Sequence, residues 1–158
     1  MNKINTLRFK IYIDADACPT KTETIRVATR HKIIVYIVSN GGIRPSTNPL
    51  VRTIVVNSGP DTADDWIVNH IFRNDIVITS DMPLANQCIK KGAYVISVSG
   101  ETIDERNIGI IIASRNLMHD IRSADLFHRA KGKKYSKSDR IRYINALEKV
   151  IQTIKKSL

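Results

Sequence analysis

Asp14 and Asp16 stand where an apolar, strand-forming run gives way to a helix start, in the segment Ile-Tyr-Ile-Asp-Ala-Asp-Ala-Cys-Pro. Asp81 stands at the same kind of junction, in Ile-Val-Ile-Thr-Ser-Asp-Met-Pro-Leu-Ala. Asp61, Asp64 and Asp65 form a third acidic group between them, in Gly-Pro-Asp-Thr-Ala-Asp-Asp-Trp. In an open α/β sheet, ligands bind outside the carboxyl ends of the strands. Carboxylates gathered there repel one another unless they are protonated or share a cation. On an extended segment the i, i+2 pair Asp14 and Asp16 projects to one face, with α-carbons roughly 6.6 Å apart. Asp81 enters the same crevice if its strand neighbours the first. Asp61 and Asp64, at i, i+3 on a helix start, can face one way. All these donors are hard oxygens, which favour Mg²⁺ or Mn²⁺ over Zn²⁺. Two such ions can activate a water and stabilise the leaving oxygen of a phosphodiester. Helix capping is the competing explanation: Asp16 before Pro19, Asp81 before Pro83, and Asp61 can each be an N-cap. Capping accounts for any one of them, but less easily for a D-x-D and an S-D at the ends of two different strands.

The remaining chemistry-bearing residues form weaker patterns. Cys18 falls at a helix N-terminus, where the dipole lowers a thiol pKa, but it has no His or second Cys nearby in sequence. Cys88 falls in mid-helix and reads as core. The four histidines show no ligand spacing. Ser39, in Tyr-Ile-Val-Ser-Asn-Gly-Gly, ends a strand and can hydrogen-bond a phosphate or substrate, although the glycines match no complete phosphate loop.

These residues are expected to be positioned by alternating strands and helices. Apolar runs predict strands over 9–13, 33–38, 53–57 and 76–79, with a last strand over 93–98. Helices are predicted from Cys18-Pro19 to about residue 32, from Asp61 to about 72, and from Pro83 to 91 with Gly92 closing it. A further helix over 104–122 is expected to bury an isoleucine-rich face. Ser138 is expected to cap a basic C-terminal helix over about 138–157. Its residues Ile141, Ile144, Leu147, Ile151 and Ile154 recur at spacings of three and four, which predicts one buried stripe. The Gly/Pro/Asn-rich stretch 39–52 is long enough to suggest a functional loop. Alternating elements imply mainly parallel pairing. The expected fold class is α/β: one domain over 1–158, a three-layer α/β/α sandwich around a mainly parallel central sheet.

The chain has 158 residues, 42% hydrophobic and 25% charged, as suits one soluble domain with a core. No apolar run approaches a membrane span, and charged residues interrupt the N-terminal segment where a signal peptide would need an apolar stretch. Two cysteines argue against a disulfide framework and for a reducing cytoplasm. The net charge of +10 is concentrated at one end, since residues 127–158 carry ten Lys or Arg and two acids. A basic end beside an acidic crevice suits a polyanion, with Lys131, Lys133, Lys134 and Lys137 gripping its phosphates. A solvated helix face is the plainer reading of the same charge.

Asp14-Ala15-Asp16-Ala17-Cys18-Pro19, Asp61-Thr62-Ala63-Asp64 and Ile78-Thr79-Ser80-Asp81-Met82-Pro83-Leu84-Ala85, with Lys91-Gly92-Ala93 and Ser138-Asp139-Arg140, resemble the YaiI/YqxD family of bacterial proteins. That family looks like a branch of the PIN-like nuclease superfamily. The resemblance covers about residues 10–150. It implies a PIN-like fold and a ribonuclease dependent on Mg²⁺ or Mn²⁺. On that analogy Asp14 and Asp81 are the central metal ligands and Asp64 is the acid from the helix, with Asp61 and Asp65 competing for that place. Asp16 belongs to the family's own motif as a further ligand. A glycine-glycine-proline turn is usual before the last helix, and Ala130-Lys131-Gly132-Lys133-Lys134-Tyr135 replaces it here.

Three functions compete on this sequence. One is a metal-dependent nuclease acting on RNA. A second is a haloacid-dehalogenase-like phosphatase, whose order Asp14/Asp16, Ser39, Asp81 imitates; no lysine lies between Asn40 and Asp81 to balance the phosphate. The third is an RNA- or ribosome-binding module with a vestigial acidic site, using the basic C-terminus with Tyr135 and Tyr143 for stacking.

Overall fold

The computed structural model describes residues 6–15, 19–59, 61–124 and 135–158. Asp16, Cys18, Lys131, Lys133 and Lys134 lie outside the described residues.

Among the described residues six strands form one sheet: β1 (Ile11–Asp14), β2 (Val35–Ser39), β3 (Val51–Val55), β4 (Ile76–Ile78), β5 (Tyr94–Ile96) and β6 (Thr102–Ile103). Their spatial order is β3-β2-β1-β4-β5-β6. The first five run parallel, and β6 is antiparallel to β5. Five helices accompany them among the described residues: α1 (Lys21–His31), α2 (Thr62–His70), α3 (Met82–Lys90), α4 (Ile108–Ala124) and α5 (Lys137–Ser157). The chain turns outward from β1 in both directions, to β2 on one side and to β4 on the other. A crevice therefore opens at the carboxyl ends of β1 and β4, where ligands bind in open α/β sheets.

The period-2 alternation of the central strands decides which helix meets which side chain. Ile11, Ile13, Ile76, Ile78 and Ile96 pack with Val27 and Ala28 of α1 and with Leu147, Ile151 and Ile154 of α5. Tyr12, Val77 and Val95 turn the other way, onto Ala63 and Ile67 of α2, Leu84, Ala85 and Cys88 of α3, and Ile108 of α4. All residues of β1 and β4 are buried, as expected for parallel strands covered on both faces. Asp14 is two residues from Tyr12, so its side chain turns towards α2 and α3.

Several local expectations are corrected. Residues 94–96 are not the last strand: a turn with Gly100 at φ +89° reverses the chain, and β6 returns antiparallel. Helix α1 begins at Lys21, two residues after Pro19. Strand β3 begins two residues early, at Val51. Ser136, not Ser138, caps α5, in a reciprocal box with Asp139: the Asp139 N–H reaches Ser136 Oγ and the Ser136 N–H reaches Asp139 Oδ2, both at 3.0 Å. The buried stripe of α5 includes Tyr143 and Val150 and excludes Ile141, which is exposed. The isoleucines of α4 do not form one buried face, because Ile108 is buried while Ile110 is 70% exposed.

Helix α5 lies along α1, with its start at the carboxyl edge of the sheet. Arg140 pairs with Glu23 in the first turn of α1 (Nε to Oε1 2.9 Å). Glu148 meets Arg30 and His31 at the other end of α1 (His31 Nε2 to Oε2 2.8 Å). Lys137, the first residue of α5, is thereby placed at the same sheet edge as Asp14.

Candidate functional site

Asp14 closes β1 and is 6% exposed. Its Oδ2 accepts the Thr79 hydroxyl at 3.2 Å. The same Thr79 Oγ1 accepts the backbone N–H of Asp81 at 3.0 Å. Thr79 thus links the carboxylate at the end of β1 to the backbone of the acid that follows β4. The pairing of Ile13 with Ile78 sets this up, since it carries the chain past β4 alongside Asp14.

Asp81 is the N-cap of α3, its Oδ1 accepting the Leu84 N–H at 3.0 Å. The capping explanation therefore holds for one of its oxygens. It does not hold for Asp61, which precedes α2 in the left-handed region (φ 65°) and makes no side-chain cap. Instead, Thr62 ties the start of α2 to the preceding loop by donating to the Asn57 carbonyl at 2.6 Å.

Aromatic packing fixes α2 on the sheet. Trp66 lies against Tyr12 and Tyr36, with ring centroids 6.1 and 5.8 Å away. The Tyr12 hydroxyl donates to the His70 carbonyl at 3.0 Å. Of the three acids at the helix start, Asp61 and Asp65 are exposed and Asp64 is half-buried. Burial, followed by the charges of Asp81 and Asp14, a side-chain hydrogen bond with Asp81 and the charge of Asp61, pushes the Asp64 carboxyl up to about 7. Asp14, Asp64 and Asp81, from three separate elements, thus share one electrostatic site. That repulsion is what a shared hard cation would relieve, and the donors have the chemistry for one. As they stand, no three His, Cys, Asp or Glu side chains among the described residues are grouped to hold a metal ion.

Ser39 ends β2 beside β1, and its buried hydroxyl closes a turn with Gly41 (3.0 Å to the carbonyl, 3.1 Å from the N–H). Lys137 is exposed at the start of α5. Tyr143 offers no stacking surface: it is fully buried, its hydroxyl 2.5 Å from that of Thr24. Cys88 is buried in the core, and burial pushes its thiol up to about 12. No helix among the described residues is long and apolar enough to cross a membrane. Sequence reasoning missed Thr79, which reads as one more β-branched strand residue. Its place two residues before an aspartate was the available signal.

Residues 12–153 match the family model described as "Uncharacterized BCR, YaiI/YqxD family". The chain belongs to the YaiI/YqxD family. A UPF0178 protein of Roseobacter denitrificans is 52% identical over 142 residues, 90% of this chain and 94% of the relative. A UPF0178 protein of Parvibaculum lavamentivorans is 44% identical, covering 93% of this chain and 96% of its own length. One from Rhodospirillum rubrum is 43% identical, with coverages of 93% and 98%. No solved structure matches the chain.

Proposed function

We propose that this YaiI/YqxD protein is a cytoplasmic nuclease of PIN-like, three-layer α/β/α architecture that cleaves RNA with a bound Mg²⁺ or Mn²⁺. The observation that carries the reading is the electrostatic meeting of Asp14, Asp64 and Asp81 at the crevice between β1 and β4, with Asp64 pushed up to about 7. Asp14, Asp64 and Asp81 would hold the cation, with Asp16 as a further ligand. A cation bound there supplies Lewis-acid stabilisation of phosphodiester charge and acidifies a water. Thr79 holds the Asp14 carboxylate in place. The Leu84 N–H fixes one oxygen of Asp81. With no cation bound, Asp64 holds a proton in part near neutral pH. Lys137, at the same sheet edge, grips the phosphate backbone, Lys131, Lys133 and Lys134 would add their charge to that grip, and Ser39 lies beside the crevice at the end of β2.

The second reading is an RNA-binding protein that does not cleave, and the use of Asp81 as a helix cap favours it. One experiment separates the two. End-labelled single-stranded RNA is incubated with the protein in Mn²⁺, Mg²⁺ or EDTA, beside the Asp14→Asn/Asp81→Asn double variant. Metal-dependent cleavage that the double variant lacks is the expected result. Salt-sensitive binding that is equal in both proteins, without cleavage, would replace the nuclease by the binding protein.

A further inference from the structure

Immediately beyond Asp81 a cleft of about 590 Å³ lies between the first turns of α3 and the middle of α4. Met82, Pro83 and Asn86 line one wall and Ile112, Arg115 and Asn116 the other. Each trio has close helical spacing, so each wall is one face of a helix. Met82, Pro83 and Ile112 give the cleft an apolar lining, while Asn86 and Asn116 bring an amide from each wall. Neither amide has a hydrogen-bond partner among the described residues. Arg115 closes the end nearest the acids, donating to the Ser80 carbonyl at 2.6 Å.

We propose that this cleft receives one unstacked nucleobase of the RNA substrate, adenine in preference, beside the phosphodiester that a cation at Asp14, Asp64 and Asp81 would engage; this rests on the RNA reading above. The apolar walls suit the faces of a heterocycle, since single-stranded RNA is read through splayed bases that stack and expose their edges. An Asn amide presents a donor and an acceptor side by side, the complement of adenine N6–H and N7. Among the described residues no carboxylate lines the cleft to take the N1–H and N2–H donors of guanine. Arg115 supplies positive charge between the cleft and the acids, where the chain's next phosphate must pass. The volume lies within the range of small-ligand sites and accommodates a nucleoside.

The test is binding, so it stands apart from cleavage. Fluorescence anisotropy in EDTA at low salt compares labelled rA6, rG6, rU6 and rC6 on the intact chain and on the Asn86→Ala/Asn116→Ala variant. The wild type should bind rA6 about five- to a hundredfold more tightly than the other three. The variant should bind all four at one lower level, with an unchanged far-ultraviolet circular dichroism spectrum. Equal binding of the four by the wild type overturns the proposal, even where cleavage is seen. So does an adenine preference that survives in the variant. AMP competing as well as rA6 at equal nucleotide concentration would make the ligand a free nucleotide and overturn the RNA assignment. An adenine preference without any metal-dependent cleavage would keep the cleft and discard the nuclease.

Discussion

Asp64→Asn should make the protein more stable at neutral and alkaline pH, because it removes a charge that the fold holds against two others. The carboxyl rises from 3.8 to about 7 in the folded chain, through burial first and then through Asp81 and Asp14. About three pH units at 1.36 kcal/mol each set a ceiling of about 4 kcal/mol. Asp64 is only half-buried, so solvent screening reduces this to about 1–2 kcal/mol. Since the folded-state value is the raised one, the stability that protonated Asp64 contributes is complete below pH 3.8 and is lost as pH rises through about 7.

Urea and thermal unfolding in EDTA, from pH 4 to pH 8, measure the effect. The two proteins should have similar midpoints near pH 4. By pH 8 the variant should melt about 2–8 °C higher. His31 also titrates at an altered position, lowered by burial, Lys155 and Arg30, but it is common to both proteins and cancels in the difference. Adding Mn²⁺ or Mg²⁺ at pH 8 should stabilise the wild type more than the variant, because the cation relieves the same repulsion by binding. A variant no more stable than wild type at pH 8, or one whose advantage does not grow with pH, would refute the idea that the three acids oppose one another.

Two further substitutions probe the frame around the acids. Asp81→Ala and Asp81→Asn both remove the charge, but only Asn keeps a capping oxygen for the Leu84 N–H, so the Ala variant should be about 1 kcal/mol less stable than the Asn variant in urea unfolding; equal stabilities would mean that the cap contributes nothing. Gly100→Ala should cost about 2–4 kcal/mol in the same assay, because the new Cβ would lie 2.8 Å from the Arg142 carbonyl of α5 at a φ of +89°, and a loss below 1 kcal/mol would show that α5 shifts freely over this turn.

The alternation of strands and helices was legible because the central strands are apolar on both faces and acids, prolines and glycines mark where helices start and stop, although, of α1, α2, α3 and α5, only the last two show side-chain caps among the described residues. The apolar runs named all five parallel strands to within two residues at either end. Strand β6 was not legible. Two residues, one of them an exposed threonine, give no period to read, and it exists because the Gly100 turn folds the chain back onto β5. The α4 face was misread for a related reason. A run of isoleucines looks buried all round, but only the part over α3 finds a covering element, and Ile110 and Leu117 face outward.

The site was legible as residue types and not as an arrangement. Asp14 and Asp81 could be named because each follows an apolar run, and a strand end in an α/β sheet is where ligands gather. That the two runs are neighbours is a property of the strand order, which a single sequence does not carry. Asp64 could not be separated from Asp61 and Asp65 by spacing. The separation comes from the sheet: Trp66 lies against Tyr12 and Tyr36, and this fixes the rotation of α2 so that Asp64 is half-buried and Asp65 is turned to solvent. Tyr12 in turn faces α2 because it alternates with Ile11 and Ile13, and Asp14 follows it on the same side. One parity along β1 therefore sets both the first acid and the helix that brings the second. A one-residue slip of β1 would turn Asp14 towards α1 and part the cluster. The proximity of these acids is thus tied to the packing of the core, and Asp64 is held where its charge is unfavourable by contacts that are themselves favourable.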